Sequence, residues 1–355
     1  MVVIMKERLV KIGNIKTGLK NNICDVDGVL VGHYTLEDGY NHTGVTCIKP
    51  HSGNLFKNKV VSSVYAFNGF GKSVGLLQVE EMGFLETPIL LTNTLSVPKV
   101  SDALITYMLR DNPEIGRGAS TVNSLVMECN DGKINDIQNR LIEEENVLEA
   151  INNTSDDFIE GAVGAGCGMI CHGFKGGIGS SSRVVTINEK EYTVGVLVNS
   201  NFGESNGNSL IFKGRNLGDL IKDYNLKKEE EKGSIIVIIA TDLPLNNRQL
   251  KRLCKRSELG IARTGSYAGN GSGDIMLAFS TKNSINYFDD KAIDNIERFN
   301  DAYINPVFKA VVDATEEAVL NSMLYSDGKK GFNDVYYKSL NEYKELFEDL
   351  LENKR

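Results

Sequence analysis

Apolar residues along this chain fall into two kinds of run. Short apolar or alternating stretches bounded by Gly, Asn or Asp predict strands at 29–33, 44–48, 62–67 and 88–92. A second set covers 183–187, 191–198, 234–240 and 274–280. Helical spacing is carried by 100–110, 137–151, 246–260 and 307–324. In the last, Ala310, Val311, Ala314, Ala318 and Val319 share one face, and Glu143, Glu144, Glu145 and Glu149 mark the exposed face of the second. Strands come in clusters with helices between and after them, not in βαβ alternation. That order favours a layered α+β domain over a doubly wound parallel sheet.

Charge and composition narrow the function classes. With 39 basic and 47 acidic residues the formal charge is −8, so nucleic acid or an anionic membrane is not expected as the main partner. No run approaches the roughly 18 apolar residues of a membrane span. The start Met1-Val-Val-Ile-Met5 is too short for a secretion signal, and charges follow it at once. A cytoplasmic location is expected, with Cys24, Cys47, Cys129, Cys167, Cys171 and Cys254 as free thiols. Residues 213–233 are polar and Lys/Glu-rich, which suits a linker or a loop that stays accessible for processing.

The densest glycine tract, 161–182, lacks a GxxxxGK[ST] spacing because Lys175 is followed by glycines. Close packing of backbone against a substrate or a neighbouring sheet explains it better than a phosphate cradle. Cys167, Cys171 and His172 lack the second ligand pair that a zinc site needs, so no metal is expected. Gly271-Ser272-Gly-Asp274 puts a hydroxyl and a carboxylate at a strand's entry, and Asn201 places an amide at a strand's end. Glu128 closes the apolar stretch Leu125-Val-Met127, just before the turn-forming Asn130-Asp-Gly132. Ordinary turn chemistry accounts for each of these alone. Gly233-Ser234 stands between a charged stretch and the run 235–240. Glycine permits the backbone that serine attack on its own chain needs. The freed α-amine, of ordinary pKa about 7.7–8.0, can serve as base for the serine hydroxyl.

In this order the segments resemble the L-aminopeptidase/D-esterase (β-peptidyl aminopeptidase) family over about 20 to 325. The resemblance runs through Asp25-Val-Asp-Gly-Val-Leu-Val-Gly-His33, Asn68-Gly-Phe-Gly71 and Thr87-Pro-Ile-Leu-Leu-Thr-Asn-Thr94. It continues through Glu128-Cys-Asn-Asp-Gly132, Lys175-Gly-Gly-Ile-Gly179, Asn201-Phe-Gly203, Gly233-Ser234 and Gly271-Ser-Gly-Asp274. It implies a four-layer αββα fold like that of N-terminal-nucleophile hydrolases, with the connectivity of the ornithine acetyltransferases. It also implies one catalytic domain, 1–355, that cleaves itself into 1–233 and 234–355. Ser234 then matches the nucleophile, Ser272 and Asp274 the pair holding its amine and hydroxyl, Asn201 the oxyanion amide, and Glu128 the carboxylate for a substrate ammonium. Asn130 falls where some relatives carry an active-site tyrosine, and Val97-Pro-Lys99 replaces a glycine-containing turn. The implied activity releases N-terminal residues from small peptides, amides or esters that bear a free amine. It needs no cofactor, and the implied assembly is a tetramer of αβ units or larger. The alternatives are an acyltransferase of the ornithine acetyltransferase type and an unprocessed, inactive amine binder.

Overall fold

The computed structural model describes residues 8–221, 231–288, 291–332 and 334–351. Its principal strands are β1 (Leu30–Asp38), β2 (Asn41–Lys49), β3 (Asn58–Gly69), β4 (Phe84–Leu85), β5 (Ile89–Asn93) and β6 (Leu125–Cys129). After these come β7 (Gly177–Ile187), β8 (Lys190–Asn201), β9 (Lys232–Thr241) and β10 (Gly271–Asn286). The principal helices are α1 (Leu76–Met82), α2 (Val97–Asp111), α3 (Glu144–Asn152), α4 (Asn247–Arg263) and α5 (Asn305–Leu324).

Two sheets form. One has the order β1-β2-β5-β6, the other β4-β3-β10-β9-β8-β7. Most neighbours are antiparallel, but β5–β6 and β9–β10 are parallel. Three apolar layers hold the stack together. Ile235, Val237 and Ile239 of β9 pack with Leu250 and Leu253 of α4 and Val307 and Val311 of α5. The alternate residues Ile236, Ile238 and Ala240 pack with Ile89, Leu91 and Met127 of the other sheet. Leu90 and Val126 then face Val100 and Leu104 of α2 and Ile151 of α3. The architecture is α, β, β, α in four layers. It also explains why 235–240 is apolar without alternation: the strand is buried on both faces.

Two expectations change in detail. The region 137–151 is not one helix: Arg140 takes φ 48°, and α3 starts afresh at 144 behind a capping box between Glu143 and Asn146. Val97-Pro-Lys99 opens α2, with Pro98 in its first turn, where proline's missing N–H costs nothing. The glycine tract ends inside β7, and its glycines allow close backbone packing, as expected. A Cβ on Gly179 would sit 1.9 Å from the Ala318 carbonyl of α5, and one on Gly166 would sit 2.5 Å from the Ile178 nitrogen. Of the polar stretch 213–233, residues 222–230 lie outside the described residues, and the last two belong to β9.

Candidate active site

The site lies where β8 ends and β9 begins. The antiparallel register sets Asn201 opposite Ser234, so both side chains leave the same face of the sheet. Gly233 makes this approach possible. Its φ is +136°, and a Cβ there would lie 2.0 Å from the Asn201 carbonyl oxygen. On the other side, Gly273 of β10 leaves room for the serine, since a Cβ on it would lie 2.9 Å from Ser234 Oγ. Ser234 is 6% exposed, at the floor of a cleft of about 800 Å³ lined also by Phe70, Glu128, Asn130, Ile170 and Asn201.

Asn201 is held at both ends of its amide. Oδ1 accepts from the Ile170 N–H at 2.9 Å, and Nδ2 donates to the Asn130 carbonyl at 2.9 Å. Glu128, 3% exposed, comes from the facing sheet at the end of β6. It accepts from the Lys72 N–H at 2.8 Å and from the Thr94 hydroxyl. No role was read for Lys72 or Thr94 in the sequence, and both contact Glu128 here. The Asn130 side chain is turned on its own loop, accepting from the Gly132 N–H at 2.9 Å. Its contact with Asn201 is made through the main chain.

Ser272 and Asp274 occupy the opposite face. The parallel register pairs Gly233 with Ser272 and Ser234 with Gly273, and paired positions point the same way. Ser272 therefore stands beside the side-chain-free face of Gly233, not beside Ser234 Oγ. Its hydroxyl donates to Asp274 Oδ1 at 2.6 Å, while Asp274 Oδ2 has no partner among the described residues. Burial, with the charge of Glu231, pushes the Asp274 pKa up to about 6. Burial with Asp274 and Glu231 nearby pushes that of Glu258 on α4 up to about 8. Glu231 belongs to the charged stretch that reads as solvated, yet it is 3% exposed. The Ser266 hydroxyl and the Tyr267 N–H, the latter at 2.8 Å, both donate to it. This face of the sheet is rich in carboxylates and suits a cation.

Cys167 and His172 do not converge. His172 bonds Ser209 at 3.1 Å, and burial pushes its pKa down to about 3. Cys167 meets Glu37 and His42, with ligand atoms within 4.8 Å of one another. The Lys329 ammonium, however, donates to both Glu37 and Cys167 and already supplies that cluster with a cation. All six cysteines are free.

Comparison with known proteins settles the family. The model of peptidase family S58 matches residues 21–336. The chain belongs to peptidase family S58. It is thus a hydrolase. A β-peptidyl aminopeptidase, BapA, of Sphingosinicella microcystinivorans is 35% identical over 342 residues, covering 90% of this chain and 85% of its own. The solved PH0078 protein of Pyrococcus horikoshii OT3 is 46% identical with a TM-score of 0.90, covering 95% and 96% of the two chains. The L-aminopeptidase D-Ala-esterase/amidase of Ochrobactrum anthropi is 32% identical with a TM-score of 0.88, over 96% and 97%. That structure is described as a prototype of the serine aminopeptidases and a variant of the Ntn hydrolase fold, which agrees with the four layers of this peptidase. Among the described residues no helix is long and apolar enough to cross a membrane.

Proposed function

We propose that this S58 peptidase is a self-processing serine aminopeptidase acting through Ser234. The observation that carries this reading is the placement of Ser234 behind Gly233, opposite the fixed amide of Asn201, in a cleft whose other wall holds buried Glu128. In the precursor, Ser234 Oγ adds to the Gly233 carbonyl and the C–N bond breaks, leaving an ester and a free amine on Ser234. Water then hydrolyses the ester, releasing a chain that ends at Gly233. The new amine stands on the face of Ser272 and Asp274, where the nearby carboxyl groups raise its pKa and make its neutral form a stronger base. Their hydrogen-bonded pair holds that amine beside the hydroxyl it serves.

In turnover, Glu128 receives the substrate ammonium: its carboxylate lines the cleft, and the donors it already meets, the Lys72 N–H and the Thr94 hydroxyl, are neutral. The Ser234 amine takes the Oγ proton as Oγ attacks the scissile carbonyl. Asn201 Nδ2 donates to the developing oxyanion. The leaving amine or alcohol takes a proton and departs, and water hydrolyses the acyl-enzyme. The substrates are small peptides, amides or esters with a free N-terminal amine, as the names of the aminopeptidase relatives suggest.

A panel of aminoacyl p-nitroanilides tests this. Free-amine compounds should be hydrolysed and their N-acetyl counterparts spared, with Ser234→Ala inactive. Equal rates on both sets would contradict the assignment of Glu128. Acyl transfer to ornithine with negligible hydrolysis would favour the acyltransferase alternative.

A further inference from the structure

Lys175 takes no part in the chemistry above, yet it is wholly buried. Its ammonium donates to three main-chain carbonyls: Gly166 at 2.9 Å, Met169 at 2.9 Å and Gly176 at 2.7 Å. A lysine ammonium has three donors, so this cage uses all of them. The Gly176 N–H also reaches the Met169 carbonyl, at 2.9 Å, closing the segment 166–176 on itself. Buried charge is retained only where such bonds compensate it, and an apolar side chain here would take one hydrogen bond from each of the three carbonyls.

The consequence reaches the active site one residue further on. The Met169 carbonyl held by Lys175 belongs to the same peptide unit as the Ile170 N–H, which donates to Asn201 Oδ1 at 2.9 Å. That bond decides which way the Asn201 amide faces. With Oδ1 turned to the loop, Nδ2 faces the Asn130 carbonyl, and its second N–H is the donor that the oxyanion requires. We propose that Lys175 is a positioning residue for catalysis. By pinning the peptide unit between Met169 and Ile170, it fixes the orientation of the Asn201 amide. This rests on the reading of Asn201 as the oxyanion donor.

A double-mutant cycle tests it, with wild type, Lys175→Met, Asn201→Ala and the double variant. Rates are normalised to the fraction of cleaved chain found by intact mass. Asn201→Ala should lower kcat by about 10²–10³-fold, the usual cost of one oxyanion donor. Lys175→Met should lower kcat by about 10–10²-fold, less than loss of the donor itself, with little change in KM. In the Asn201→Ala background it should cost almost nothing more. Affinity for an α-amino aldehyde, which adds Ser234 as a tetrahedral adduct, should fall in step with kcat. Affinity for the free amino acid product should hold.

A Lys175→Met loss that multiplies in full with that of Asn201→Ala, or that falls equally on product binding, would make the lysine merely structural and overturn the proposal. So would an unchanged kcat in Lys175→Met while Asn201→Ala is crippled. An unchanged kcat in Asn201→Ala would instead sink the oxyanion reading itself. Should Lys175→Met not fold, Lys175→Gln retains two donors, and its smaller loss must show the same non-additivity. The rate of Gly233–Ser234 cleavage provides a second readout of the same cycle for variants that process slowly.

Discussion

Replacing Gly233 by alanine tests the geometry before any substrate is involved. At φ +136° the backbone lies where L-residues are held only at a cost of about 1–3 kcal/mol. The added Cβ would lie 2.0 Å from the Asn201 carbonyl, a main-chain atom that moves only with β8. Relieving such an overlap typically costs about 1–3 kcal/mol more. The two terms total about 2–6 kcal/mol and fall on the arrangement that sets Ser234 against Asn201. At about 1.4 kcal/mol per tenfold, Gly233→Ala should slow self-cleavage by about 30-fold or more. The assay is a time course of intact mass and denaturing gels on freshly purified protein, with thermal unfolding alongside. Gly118→Ala is the control, since a Cβ there meets nothing within 4 Å, and it should cleave as wild type does. Cleavage of Gly233→Ala within threefold of wild type would refute the reasoning.

Three further outcomes follow. Glu128→Gln removes a charge-assisted bond, commonly about 1.5–3 kcal/mol. The kcat/KM for free-amine substrates should drop about 10–10²-fold in a p-nitroanilide assay, with N-acetyl substrates still spared. Ser272→Ala takes away the hydroxyl bound to Asp274 at 2.6 Å. It should slow cleavage and turnover by about 10²-fold, at the lower end of proton-transfer effects, with unfolding little changed. Burial pushes the Asp131 pKa up to about 7, against about 3.9 unfolded. The folded state therefore holds an extra proton between those values. Its contribution is fully present below about pH 4 and is lost as pH rises through about 7, with a slope of at most about 1.4 kcal/mol per pH unit. Denaturant melts across that range should show the slope in wild type and a flatter line in Asp131→Asn.

Much of this was legible in the sequence because it was local. The run 234–240 reads as a buried strand, and the structure shows why it does not alternate: it separates two apolar layers. Gly233-Ser234 and Asn201 were visible as a strand's start and a strand's end. What the sequence could not carry was register. That Ser272 and Asp274 face away from Ser234 Oγ follows only from the parallel pairing of β9 with β10. Glu231 looked solvated because its partners, Ser266 and Tyr267, lie 35 and 36 residues further along the chain. Lys175 stands among glycines that the sequence marks only for close packing. Its burial depends on a turn that brings Gly166 and Met169 back to it, and no spacing in the sequence announces that.

The central claim is that Ser234 is a nucleophile released by its own chain. Intact mass with N-terminal sequencing of purified wild type and Ser234→Ala tests it most directly. Wild type should resolve into a chain ending at Gly233 and a second beginning at Ser234, while Ser234→Ala stays a single 355-residue chain. An uncut wild-type chain that still hydrolyses aminoacyl substrates, or a Ser234→Ala variant that cleaves at the same bond, would contradict the account.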